Sequence, residues 1–257
     1  MILQRLATSI RKQDWFTVLI ETLIVVLGVF LGIQLGNWNA DRQTRAEAAQ
    51  YAERLRADLA TDARNYVILH NYYRGALKSA EIAYGGLTGA AEISDADLLV
   101  AAFRASQYNW AERHRTTFDE LVASGSLELI EDPAYRARVA AYYSQSLLAD
   151  VSQSTMNSEY RRAFRMFAPP DLHDALAIQC GDREGSGGRQ AFTIDYTCAL
   201  DWPAAEVAKY AALLRADEDM VPLLRLQISN LKSRDFELAG IYDFYGLDEF
   251  IAAGGAR

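Results

Sequence analysis

The chain has 257 residues, 51% hydrophobic and 23% charged, with a formal net charge of −8. That is enough for one ordinary domain plus an anchor, too charged for a polytopic membrane protein and too apolar for a disordered chain. The acidic balance argues against nucleic acid, whose binding needs a basic stripe that displaces counterions from phosphates.

The first 14 residues, "MILQRLATSIRKQD", carry Arg5, Arg11 and Lys12. Ile2, Leu3, Leu6, Ala7 and Ile10 recur at helical spacing and read as an interfacial turn that leads into a span. From Trp15 to Trp38 the chain runs about 24 residues, enough to cross a hydrocarbon core of roughly 30 Å with some tilt. Trp15 and Trp38 bracket this segment, and Gln34, Asn37 and Asn39 sit near its far end, so these five are expected at the headgroup interfaces. Basic residues ahead of the span place segment 1–14 in the cytoplasm, while Arg42 and Arg45 behind it are balanced by Asp41 and Glu47. The apolar core is longer than a signal peptide's and "LGNWNADRQ" is a poor cleavage site, so the expectation is an uncleaved anchor. Residues 39–257 then lie on one side, the periplasm of a Gram-negative cell, with the anchor in the inner membrane.

Within the span, Glu21, Val25, Gly28, Gly32 and Gly36 share one helical face. Small residues four apart let two helix backbones approach closely where lipid offers no hydrophobic drive. An acid among lipid tails costs a few kcal/mol if charged and unpartnered, so Glu21 should face a neighbour, water or headgroups. It can serve as a structural hydrogen bond, as a charge partner for another membrane protein, or as a proton-transfer group. The five residues are therefore the expected helix–helix contact.

The run "ETLIVVLGVFLGIQLGNWN" resembles the membrane signature of an uncharacterised family of bacterial single-span proteins. The residues that carry the resemblance are Glu21, Gly28, Gln34, Asn37, Trp38 and Asn39. A second patch, "TTFDELVASGSLELI" at 116–130, is similar to that family's downstream segment. Where the family often has Ala before the Gln, this chain has Gly32. The resemblance implies a single-span topology and carries no activity with it.

Beyond Ala40 the helical pattern continues through Leu55, Leu59, Tyr66, Leu69, Tyr73, Leu77 and Ala80. One long helix is expected to run to about Tyr84 and stop at Gly85-Gly86, with any bend at Asn37-Trp38-Asn39. Ser94 is expected to cap a shorter helix whose first turn holds acids. Thr116 or Thr117 caps "FDELVAS", which Gly125 stops. Asp132-Pro133 opens a long helix to about Phe167, ended by Pro169-Pro170. Residues 171–203 read as loop with a short strand in "QAFTIDYTC". Helices from about Pro203 to Ala216 and from about Asp217 to Tyr245 complete the chain, and "YDFYGLDEF" closes the bundle. The fold class is all-α: a transmembrane helix, a stalk and an antiparallel helical bundle with a small disulfide-closed loop.

Cys180 and Cys198 enclose "CGDREGSGGRQAFTIDYTC" and are expected to form that disulfide in an oxidising compartment. His70, His114 and His173 lie far apart in sequence, and no metal site is expected from them. Glu112-Arg113-His114-Arg115 reads as a charged loop before a cap, with an anion pocket as its functional alternative. Tyr66, Tyr72, Tyr73, Tyr84, Tyr142 and Tyr143 read as core with polar tips. No GxxxxGK[ST], HExxH or GxSxG is present.

These features point to a non-enzymatic anchored subunit, without cofactor, that assembles with itself or with a larger inner-membrane complex. The alternatives are a sensor-like ligand-binding bundle and an energy-coupling subunit that uses Glu21. A sensor would have to signal through a partner, because about 14 residues ahead of the span are too few for an output domain.

Overall fold

The computed structural model describes residues 15–185 and 191–249. Helix α1 spans Trp15–Thr88 as a single element of 74 residues. At 1.5 Å per residue it is a rod of roughly 110 Å. It is unbroken at Asn37-Trp38-Asn39, the place expected for any bend. None of these three residues lacks an N–H donor or forces φ positive, so nothing there interrupts the hydrogen-bond ladder.

The helix has two characters. From Leu19 to Gln50 every residue is exposed except the half-buried Ala48. One stretch of α1, beginning at Leu19, is long and apolar enough to cross a bilayer, as a single-pass membrane protein requires. From Tyr51 onward the same helix becomes the spine of a folded head. Leu55, Leu59, Tyr66, Leu69, Tyr73, Ala76, Ala80 and Ala83 are buried at spacings of three, four and seven.

Gly85 and Gly86 do not end α1, contrary to expectation; it runs on to Thr88 and turns at Gly89, which has a φ of +71°. The pair serves packing instead. A Cβ on Gly86 would lie 2.5 Å from Ile93 Cγ2, so glycine lets the returning chain fold back over the helix.

That return is α2, Asp95–Ala105, in which Leu98 to Ala105 are all buried. Ser94 caps it as expected: its Oγ accepts from the Asp97 N–H at 3.1 Å. A helix buried to its end must have its last carbonyls satisfied by other elements. Tyr160 O–H donates to Ala102 O at 2.9 Å and Gln227 Nε2 to Ala105 O at 3.1 Å. Arg161 Nη1 donates to Ser106 O at 2.7 Å, placing a cation at the negative end of the dipole.

Helix α3, Thr116–Ala123, is stopped by Gly125 at φ +70°. Neither Thr116 nor Thr117 is its cap; the cap position is Arg115. A carboxylate from α1 takes over the role, Asp58 Oδ2 accepting from Thr117 N–H at 3.2 Å. A 3-10 turn, Leu127–Leu129, leads to Asp132-Pro133.

The single helix expected from there to Phe167 is three: α4 Pro133–Ser144, α5 Leu147–Met156 and α6 Glu159–Phe167. Local polar side chains compete with the helix ladder at both breaks. Gln145 Oε1 accepts from Leu147 N–H at 3.2 Å, and Ser158 Oγ accepts from Arg161 N–H at 3.2 Å. Pro169-Pro170 ends α6 and also starts α7, Pro170–Cys180, where loop was expected. Proline pre-sets φ for a first helical turn, so the breaker doubles as an initiator.

A two-strand hairpin follows, β1 Arg183–Glu184 antiparallel to β2 Phe192–Thr193, with Arg183 opposite Thr193. Helices α8, Ala204–Ala216, and α9, Met220–Tyr245, complete the described chain. α9 runs antiparallel to α1: Glu81 pairs with Lys232 at 2.9 Å and His70 with Asp235 at 2.7 Å. Its end closes the bundle, with Tyr245 packed edge-on to Tyr142 and Leu247 fully buried.

Cys180 and Cys198 form the expected disulfide, their Cα atoms 5.5 Å apart. Arg104 on α2 grips the enclosed loop from below. Its Nε donates to Cys180 O at 2.9 Å, its Nη1 to Tyr196 O at 2.8 Å, and its guanidinium lies over the Tyr196 ring. Replacing both cysteines by serine should cost about 3 kcal/mol for a closed loop of this length. Thermal melting with and without reductant checks this; identical curves would contradict it.

Candidate functional site

The expected membrane contact face lies on the isolated part of α1. Glu21 and Val25 are exposed, and a Cβ on Gly28, Gly32 or Gly36 would meet nothing within 4 Å. The structure thus places this face on one helix and brings no other described part of the chain to it. Gln34, Asn37, Trp38 and Asn39 are exposed at the start of the stalk. Trp15 begins α1, but its side chain and all of segment 1–14 fall outside the described structure.

A second constellation sits in the head, and sequence reading had dissolved it into separate parts. Asp58 and Asp62 lie one turn apart on α1. Asp58 caps α3, as above. Asp62 is fully buried, and three donors converge on it. Its Oδ1 accepts from His114 N–H at 2.7 Å and lies 3.1 Å from His114 Nδ1; its Oδ2 accepts from Tyr142 O–H at 3.1 Å. Burial raises the Asp62 carboxyl above the usual carboxylate range, and the hydrogen bonds from His114 and Tyr142 pull it back towards charge. An ionised carboxylate only accepts, so the His114 Nδ1 facing it carries a proton.

The loop around His114 is held by the tyrosine core. Tyr73 O–H donates to Asn109 O at 2.7 Å and Tyr143 O–H to His114 O at 2.9 Å. Arg113 turns inward over the Tyr142 ring, and its Nη1 donates to Tyr142 O at 2.9 Å. The tyrosines do form a core with polar tips, and two of those tips, Tyr73 and Tyr143, latch this one loop. Tyr72 is used elsewhere, donating to Asp182 Oδ1 at 2.6 Å.

Between the loop and α1 lies a cavity of about 340 Å³, within the size range of small-molecule sites. Asn65 and Leu69 of α1 form its floor, and Glu112 and His114 line its loop side. Trp110, 60% exposed, and Phe192 of β2, 38% exposed, add aromatic surface. Among the described residues no group of three or more His, Cys, Asp and Glu is arranged to hold a metal ion. The other two histidines lie elsewhere, His70 against Asp235 and His173 edge-on to Phe103.

No family model, curated protein or solved structure matches the chain.

The signal that could have located the cavity is the i,i+4 pair Asp58 and Asp62 on the head's helix. Acids on an otherwise apolar face need donors, and the next turn signals downstream, around Thr116, supply orphan helix N–H groups.

Proposed function

We propose that this protein is a non-enzymatic, single-pass membrane-anchored subunit that assembles through its span and its helical head. Its partner is a second copy of itself or another inner-membrane protein. In this reading the N-terminus is cytoplasmic, residues 15–38 span the bilayer, and residues 39–257 form a periplasmic domain.

One observation carries it. The apolar stretch of α1 packs against no described part of the chain, yet it is covalently continuous with the spine of a well-packed head. A helix so apolar is stable only in lipid, and a glycine face bearing an acid is stable there with a neighbour. The disulfide supports an oxidising compartment for the head. On α9, Phe236 and Phe244 are 80% and 79% exposed with Gly240 between them, apolar surface that suits a contact from the head as well. The resemblance of residues 21–39 to single-span bacterial proteins belongs to the same proposal.

The test is mass in mild detergent. Gly28→Leu and Gly32→Leu should reduce the assembly to its parts by forcing the helices apart, while Val29→Leu or Phe30→Leu should leave it intact. Glu21→Gln should preserve assembly, since it keeps size and hydrogen bonding. An unchanged mass in both glycine variants would contradict the proposal.

A ligand-sensing head is the second reading, favoured by the cavity against α1.

A further inference from the structure

The cavity beside His114 presents donors and acceptors in mixture. With Nδ1 held by Asp62, Nε2 is the His114 atom left for a ligand, a donor on a protonated ring and an acceptor on a neutral one. The Asn65 contact from Nδ2 to Glu112 O is long, at 3.5 Å, so its amide can still donate and accept, as can the Thr116 hydroxyl. Asn109 Oδ1 takes the Trp110 N–H at 2.8 Å, which leaves the Asn109 NH₂ to donate. The Glu112 carboxylate accepts and the Trp110 indole N–H donates.

Charge in the lining favours neither sign. Arg113 stands beside Glu112, its Nη1 donating to Tyr142 O at 2.9 Å and its Nη2 buried without a hydrogen-bond partner. Asp62 is buried behind His114 and is not part of the lining. The anion pocket considered for Glu112-Arg113-His114-Arg115 is disfavoured, because Glu112 faces the same space and Arg115 is paired with Asp119 at 2.8 Å. A cation gains as little, since Arg113 offsets Glu112. Trp110 and Phe192 add ring surface that is indifferent to this balance.

We propose that this cavity binds a neutral sugar, a pyranose mono- or disaccharide. A hydroxyl both donates and accepts and rotates to suit, so it matches every polar group of the lining, including His114 in either form. A planar base carries a fixed order of donors and acceptors and would need the lining fixed to match it. A pyranose also has an apolar C–H face, which packs on Trp110 and Phe192 while its hydroxyl rim meets Asn65, Glu112 and His114. Asn65 is about 27 residues beyond Trp38, or roughly 40 Å up the same helix, so a bound sugar joins the loop to the rod that carries the apolar stretch. The inference concerns the head alone and does not depend on how the span assembles.

The experiment is a ligand-observed NMR titration of the full-length protein in lipid nanodiscs, corrected against empty nanodiscs. The probes are glucose, galactose, N-acetylglucosamine, maltose and cellobiose. Adenosine, phenethylamine and phenylacetate serve as planar-base, cationic and anionic controls. The best-bound sugar should have a dissociation constant of about 1 mM or tighter, with every control at least about tenfold weaker. Trp110→Ala removes the ring surface and Glu112→Ala an acceptor, and each should weaken that sugar at least about threefold. Both residues are exposed, so unchanged melting curves will show that the head is folded in each variant. No sugar of the panel reaching that affinity, any control within about tenfold of the best sugar, or a smaller loss in either variant would overturn the proposal.

Discussion

Raising the pH above 10 should unfold the head in one abrupt step. Six tyrosines, Tyr66, Tyr72, Tyr73, Tyr142, Tyr143 and Tyr160, are buried. Burial pushes each phenol above its usual value of 10.0, Tyr73 up to about 12 and Tyr72, Tyr142, Tyr143 and Tyr160 further still. The Asp182 and Asp62 carboxylates add to the rise at Tyr72 and Tyr142. The unfolded chain releases these protons near pH 10 while the folded head retains them. The stabilisation is therefore whole below pH 10 and is lost as pH climbs from there towards the folded values. Each group removes about 1.4 kcal/mol per pH unit, so all six together remove on the order of 8 kcal/mol per unit. A typical domain has only about 5–15 kcal/mol in hand. The last six of the 14 tyrosines should therefore ionise together with the loss of helical circular dichroism, before about pH 12. Tyrosinate absorbance equivalent to all 14 tyrosines with the helix signal intact would show that the six phenols are not sealed.

Asp62→Ala should be the most damaging single substitution in the head. It leaves His114 N–H, the His114 ring N–H and Tyr142 O–H without their acceptor. Removing one side of a buried, charge-assisted network costs about 3–5 kcal/mol, or a fall in Tm of about 10 °C for a head of this size. Asp62→Asn should cost less, because an amide oxygen can still accept from His114. In the alanine variant the loop around Trp110 should also become the first site of proteolysis, since its anchor is gone. An unchanged melting curve for Asp62→Ala would mean that the tyrosines alone hold the loop.

These two outcomes rest on contacts of very different legibility. The long helix, the disulfide and the antiparallel bundle could be read from the sequence because each has a local sign. The heptad-like run from Leu55 to Ala80 marks the spine, and Asp132-Pro133 opens a helix on its own terms. The misreadings share a cause. Gly85-Gly86, Gln145-Ser146 and Pro169-Pro170 are ambiguous as punctuation. Glycine also permits close approach, as at Gly86 beneath Ile93, and proline starts helices as readily as it stops them, as at α7. The cavity was harder still, because its α1 and loop parts stand 40 residues and more apart. His114 and Asp62 reveal their relation only once α1 and the loop before α3 are laid side by side. The membrane face is the reverse case: a helical face can be read from spacing alone, but a partner has no sign in one chain.

The most direct test of the proposed assembly is a cysteine cross-linking scan through residues 21 to 36 in native membranes. If the glycine face is the contact, cross-links should peak at cysteines placed at Glu21, Val25, Gly28 and Gly32. Cross-links that peak instead at Thr22, Val26, Val29 and Ile33 would contradict it.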